Sequence, residues 1–184
     1  MGRASGLNIV ISCTDKKRAA IPRALRLRSL ASLDFAERLK EWCNRLRTER
    51  AETIQALDLY AGEHWHVAKE LVEVARNNGH RARLWVCSAG YGLLDANAKI
   101  RPYSATFSSG QADSVERGIA RKNGAPVSQA WWRGLARWSG PIRNTPRLVS
   151  QLAQHEPRSP ILVIASDSYL RAMADDLVAA GQAL

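Results

Sequence analysis

The chain has 184 residues, 46% of them hydrophobic, which is enough for one domain with a sizeable core and sets intrinsic disorder aside. Its 27 Lys+Arg against 17 Asp+Glu give a formal net charge of +10, suited to a polyanionic partner and also compatible with a generally arginine-rich composition. No run approaches the roughly 18 apolar residues of a membrane span and no charged-then-apolar leader opens the chain; Cys13, Cys43 and Cys87 lack CxxC or metal spacing, so the expected setting is the cytoplasm.

Residues 7–12 (LNIVIS) are a short apolar, β-branched run, the pattern of a buried strand. The strand breaks into a polar loop at 13–18 (CTDKKR), and a basic segment leads on to an amphipathic helix over about 33–52. Phe35, Leu39, Trp42 and Leu46 share one face of that helix, and Asp34 suits the dipole of its first turn. Residues 56–60 (ALDLY) read as a second strand. A helix over 64–78 follows, with Ala68, Leu71, Val72 and Ala75 inside and Asn77-Asn78-Gly79 as its stop. Residues 82–88 (ARLWVCS) and 160–166 (PILVIAS) are the third and fourth strands, and a helix over 169–180 closes the chain. The long insertion between those strands holds an irregular loop at 89–110, then helical stretches near 112–122, 128–138 and 146–154. Alternating strands and helices predict one three-layer, doubly wound α/β domain over 1–184, with about four parallel strands.

Each predicted strand ends in small or polar residues: Ser12 to Arg18, then Gly62-Glu63-His64, then Ser88 to Gly92, then Ser166-Asp167-Ser168. In an open parallel sheet these ends share an edge, and ligands bind in the crevice there. The first loop lacks the glycine spacing of a P-loop. Its Lys16, Lys17 and Arg18 suit an anion, while Asp15 either addresses a neutral or cationic atom or serves as a helix cap or partner for Lys17. The Gly90-Tyr91-Gly92 turn permits close backbone approach, and Tyr91 either stacks on a base or covers the sheet end. Residues 100–104 (IRPYS) suit a rigid pocket wall. The four histidines are too dispersed for a zinc site, His64-x-His66 being a weak signal, so neither metal nor cofactor is expected. In the insertion, Trp131, Leu135 and Trp138 share a helical face and read as core. Trp132, Arg133, Arg137, Arg143 and Arg147 are expected to point outward toward nucleic acid. Residues 138–148 (WSGPIRNTPRL) weakly match a helix–hairpin–helix turn through Gly140 and Thr145, with Ile142 where a second glycine belongs.

The set ISCTDKKR, LYAGEHW and SAGYGLLDANAKIRPYSATF resembles a superfamily that includes YaaA-like peroxide-stress DNA-binding proteins and a domain of archaeosine synthases. That group is itself similar to uracil-DNA-glycosylase-like folds. The matched positions are Cys13, Thr14, Lys16 and Lys17; Tyr60, Gly62 and Trp65; Ser88, Tyr91, Gly92 and Leu93; and Ile100, Pro102 and Tyr103. The resemblance implies a nucleic-acid or nucleobase site with Ser12, Cys13, Thr14, Lys16, Lys17, Tyr60, Gly62, His64, Ser88, Tyr91, Gly92 and Tyr103 around the substrate. Thr14 stands where serine is commoner in the family, a minor departure.

A DNA glycosylase acting on a modified or damaged base of double-stranded DNA is the leading expectation, with defence against phage carrying modified DNA as one setting. A base must leave the stack before its glycosidic bond can be cut, and a carboxylate then stabilises the sugar cation or directs water. Asp15 is the first candidate for that role, with Asp95 and Asp167 in reserve. Arg18, Arg133, Arg137, Arg143 and Arg147 are the expected contacts to the nucleic-acid backbone. The alternatives are a non-catalytic DNA- or RNA-binding module and an enzyme acting on a free or tRNA nucleobase.

Overall fold

Ile9, Val10 and Ile11 are consecutive in sequence and all buried, which requires cover on both faces of the strand that carries them. The computed structural model describes residues 6–119, 126–138, 140 and 145–184. In chain order the elements are β1 (Gly6–Ser12), two 3-10 turns (Arg23–Leu25 and Leu27–Leu30), α1 (Phe35–Thr48), β2 (Ile54–Gln55), α2 (Ala56–Leu59) and α3 (Glu63–Asn77). There follow β3 (Arg81–Ser88), β4 (Gly92–Asp95), β5 (Lys99–Ile100), α4 (Val127–Arg137), α5 (Val149–His155), β6 (Ile161–Ile164), α6 (Asp167–Ala172) and α7 (Ala174–Ala183). Among the described residues no helix is long and apolar enough to cross a membrane.

The protein is α/β, with a mixed four-stranded sheet in the order β4-β3-β1-β6 and a separate two-stranded sheet of β2 and β5. β1 pairs in parallel with β3, from Gly6↔Arg81 to Ser12↔Cys87, and with β6, from Asn8↔Ile161 to Ile11↔Ile164. α3 packs on β3 and β1, α4 on β4 and α1, and α5 on α7. The buried amide of Asn8 is satisfied within the sheet layer: Trp85 Nε1 donates to its Oδ1 at 2.8 Å, and its Nδ2 donates to Glu156 at 3.0 Å.

The expectation of four parallel strands is corrected at two places. The strand nearest β3 on its outer side is β4, which runs antiparallel, Ser88↔Gly92 to Trp85↔Asp95, from within the stretch expected to be an irregular loop. Residues 56–60 are not a strand: Ala56–Leu59 are a turn of helix, and buried Ala56, Leu59 and Tyr60 follow an i, i+3, i+4 spacing. Their amides are drawn away from the main sheet, Ala56 to the carbonyl of Ala98 and Leu57 to that of Ala96. Residues 112–119 are turns rather than helix, because the backbone pairs with residue 106 instead: Thr106 N donates to Asp113 O and Val115 N to Thr106 O, both at 3.0 Å. Residues 120–122 of that stretch lie outside the described residues. The closing helix is two, interrupted at the fully buried Met173.

Candidate functional site

The chain leaves β1 for β3 on one side and returns, after the insertion, to β6 on the other side of β1. The crevice between the carboxyl ends of β1 and β6 is therefore the switch point, where no connection crosses and a ligand can enter. A pocket of about 390 Å³ lies there. β1 and its loop supply Ser12, Cys13 and Asp15; β6 and its exit supply Ile164, Ala165 and Ser166. His64 in the first turn of α3, Thr106, Ser108 and Tyr169 of α6 close it from the remaining sides. The volume suits a small ligand, and eight of these ten side chains carry a polar atom that can orient one.

Behind the pocket a chain of buried hydroxyls begins at the Cys13 thiol. Cys13 Sγ lies 3.1 Å from Tyr169 Oη and 3.4 Å from Tyr103 Oη. Tyr103 Oη in turn shares hydrogen bonds with Tyr60 Oη at 2.9 Å and Ser88 Oγ at 2.5 Å. Burial, reinforced by the Cys13 sulfur, holds the phenols of Tyr60, Tyr103 and Tyr169 well above their ordinary range, so they stay neutral donors. Lys17 lies against this cluster, its Nζ 4.8 Å from the Tyr103 ring centre and 5.6 Å from that of Tyr60, and donates to Thr14 O at 3.1 Å. Burial lowers its pKa, partly offset by Cys13 and Asp15.

Beyond this hydroxyl cluster the turn after β3 forms a rigid wall, whose residues are not among those lining the pocket. Ser88 Oγ accepts from the amides of Gly90 and Tyr91 at 3.1 and 2.9 Å. The three successive carbonyls of residues 89–91 each meet a side-chain donor from elsewhere: Trp131 Nε1 at 2.8 Å, Trp42 Nε1 at 2.9 Å and Arg147 Nη2 at 2.5 Å. A Cβ at Gly90 would stand 2.4 Å from two carbons of the Tyr103 ring, so glycine is required by close approach.

The structure thus brings Ser12, Cys13, Asp15 and His64 together at the pocket. Thr14 is turned away, its hydroxyl shared between the carbonyls of Ala61 and Lys16, and it pins the loop. Lys16 and Arg18 are exposed. Gly62, at φ 106°, enters α3 with open space where a Cβ would be, and Gly92, at φ 77°, makes the turn into β4. Tyr60, Ser88 and Tyr103 are fully buried and do not line the pocket. Tyr91 is also buried and exchanges hydrogen bonds with the backbone of Arg101, so of its two readings it covers the sheet end and is no stacking platform. Asp95 pairs with Trp85, three residues below the end of β3, and is bound by Arg83, about 10 Å down the strand from the wall. Asp167 is exposed and paired with Arg171.

Two expectations for the insertion are overturned. Trp132 is 1% exposed, its indole donating to Asp176 at 3.0 Å, because α4 is packed on more than one side. Arg147 is buried under the wall, donating to the carbonyls of Tyr91 and Leu135, and is unavailable to a phosphate. Arg133 pairs with Asp175 at the surface, Arg137 is exposed, and Arg143 lies outside the described residues, as do Ile142 and three other positions of the hairpin-like turn. Sequence reasoning missed Thr106, Ser108 and Tyr169; the hydroxyl-rich run 104–109 (SATFSS) and a tyrosine in the first turn after a strand were the available signals. The chain matches no family model, no curated protein and no solved structure at a significant level. Among the described residues no group of three or more His, Cys, Asp or Glu is placed to hold a metal ion.

Proposed function

We propose that the switch-point pocket receives a single nucleobase extruded from double-stranded DNA and that the protein is a DNA glycosylase for a modified or damaged base, acting in the cytoplasm. One observation carries the reading: an exposed carboxylate, Asp15, stands at a pocket of about 390 Å³ whose other polar groups are mostly neutral hydroxyls. Neutral donors and acceptors read the edge of a base, while the carboxylate answers the positive charge that develops on the sugar. The doubly wound, three-layer reading of the whole chain is supported by the burial of both faces of β1, and the resemblance of the strand-end segments to nucleobase-processing folds supports the same class of ligand.

In the proposed reaction the glycosidic C–N bond breaks and its electron pair leaves with the base. Water adds its oxygen to C1′ and gives up a proton, which Asp15 accepts or relays to the departing base. The products are the free base and an abasic sugar. Tyr169 and Ser166 face the same space and are the groups suited to hold the base edge.

The test is incubation with duplexes bearing a range of modified bases, followed by alkali to reveal abasic sites. Asp15→Asn should keep the melting temperature and lower base release by about a hundredfold or more, the range of one positioned acid–base group. Normal release by folded Asp15→Asn protein would end the assignment of Asp15, and absence of release by the parent on every base would end the glycosylase reading.

A further inference from the structure

Outside the pocket, arginines gather on the segment that runs from the polar loop into α1. Its sequence, Arg23-Ala24-Leu25-Arg26-Leu27-Arg28-Ser29-Leu30, sets apolar residues between cations. Leu25, Leu27 and Leu30 are buried, so the intervening arginines are turned outward. The segment is fixed on both flanks. Leu27 N donates to Ser104 O at 2.9 Å and Ser104 N to Leu25 O at 2.8 Å, while Arg45 of α1 donates to Ala24 O and Ser29 Oγ.

Arg23, Arg26, Arg28 and Ser29 thereby border an open groove of about 560 Å³, and among the described residues no carboxylate lines it. Asp113 holds Arg28 from behind through its Nε, Nη2 and main-chain N, which leaves Nη1 uncommitted. Among the described residues the guanidinium groups of Arg23 and Arg26 have no ion-pair or hydrogen-bond partner, Ser29 Oγ donating only to the main-chain carbonyl of Arg26. Converging guanidinium groups on a fixed backbone repel one another, and an anion that accepts their planar forks relieves the repulsion.

We propose that this groove binds the phosphodiester backbone of DNA and is the protein's principal electrostatic contact with it. Ser104, clamped to Leu25 and Leu27, is two residues from Thr106 of the pocket wall, about 7 Å along extended chain. The chain that backs the groove is thus only two residues from a residue of the pocket. Among the described cations of the insertion, by contrast, Arg133 on α4 is engaged by Asp175 and Arg147, which precedes α5, is buried, leaving Arg137 exposed. The inference takes its ligand class from the nucleic-acid reading of the pocket and is independent of whether a base is excised.

Fluorescence anisotropy with a short labelled DNA duplex, over about 50 to 200 mM salt, tests it on the full chain. Arg23→Gln/Arg26→Gln should melt with the parent, bind at least about tenfold more weakly at the lowest salt and lower the log–log salt slope by about 1.8, two contacts' worth. Arg133→Gln/Arg137→Gln should leave the slope within about half a unit of the parent's. An unchanged slope in the first variant, a loss borne by the second, no duplex binding by the parent, or tighter binding of the parent to phosphatidylserine vesicles than to duplex would each overturn the groove assignment. Base release is scored separately. Release without a groove effect removes the groove and spares the glycosylase; a groove effect without release does the reverse.

Discussion

Asp175 and Asp176 are neighbours in the first turn of α7, carry the same charge and share the same helix dipole, yet their replacement should differ by several kcal/mol. Asp176 is buried and accepts from Trp132 Nε1 at 3.0 Å, Val149 N at 2.8 Å, Ser150 N at 3.0 Å and Ser150 Oγ at 2.6 Å, tying α4, α5 and α7 together. In Asp176→Ala the hydroxyl of Ser150 rotates to a new partner, but three N–H donors lose their acceptor. At about 1–3 kcal/mol for each buried orphan, less what relaxation and entering water recover, the cost is about 4 kcal/mol. Asp176→Asn keeps one acceptor oxygen and should cost about half as much. Asp175 has 60% of its side chain exposed and pairs with the half-exposed Arg133, so Asp175→Ala should cost about 0–1 kcal/mol. At about 2–4 °C per kcal/mol for a chain of this size, thermal melts should separate the two alanine variants by about 6–15 °C. Melts within about 2 °C of each other would refute the account of Asp176 as the node of the insertion.

Three further outcomes follow from buried geometry. Gly90→Ala forces a Cβ against the ring of Tyr103, which is itself buried and hydrogen-bonded to Ser88, so urea unfolding should show a loss of about 2–3 kcal/mol. Arg38 is 1% exposed and donates to the carbonyls of Leu30, Ala31, Leu33 and Arg117 at 3.2, 2.8, 3.1 and 2.7 Å; Arg38→Lys cannot span them, and the orphaned carbonyls should lower stability by about 2–4 kcal/mol. Burial raises the Asp113 pKa, but the hydrogen bonds from Arg28 and Ser104 outweigh it and leave the value below the ordinary one. Its contribution is complete above the ordinary aspartate value and is lost as pH falls through the depressed one, so Asp113→Asn should flatten the acid limb of the stability–pH profile.

The pocket was legible where chain order and strand polarity decide it. An apolar run followed by Ser12-Cys13-Thr14-Asp15, and a second followed by Ser166, are local signals, and the switch-point rule joins them. The failures come from properties that a residue's type does not encode. ALDLY is too short for its periodicity to separate strand from helix, and the partners that decide it, the carbonyls of Ala96 and Ala98, lie forty residues away. Arg147 reads as a surface cation, because nothing local announces that buried carbonyls await it. The helical spacing of Trp131, Leu135 and Trp138 predicts one inner face for α4 and leaves Trp132 outside it, whereas the helix is covered on both the β4 and α6 sides. The return of Gly92–Asp95 along β3 is four residues long, too short for its pattern to separate strand from loop without the partner.

The wall at residues 89–91 has a consequence for the order in which the molecule assembles. Its carbonyls are satisfied by Trp42, forty-eight residues before, and by Trp131 and Arg147, forty-two and fifty-six residues after. Until α4 and the segment carrying Arg147 have docked, two of these oxygens must remain with water, and the end of β3 cannot be sealed. Closing such distant loops is slow. The turn that ends β3 is therefore among the last parts to form, and the insertion cannot be trimmed from the fold like a surface ornament, since it completes the hydrogen bonding at the end of the sheet it interrupts.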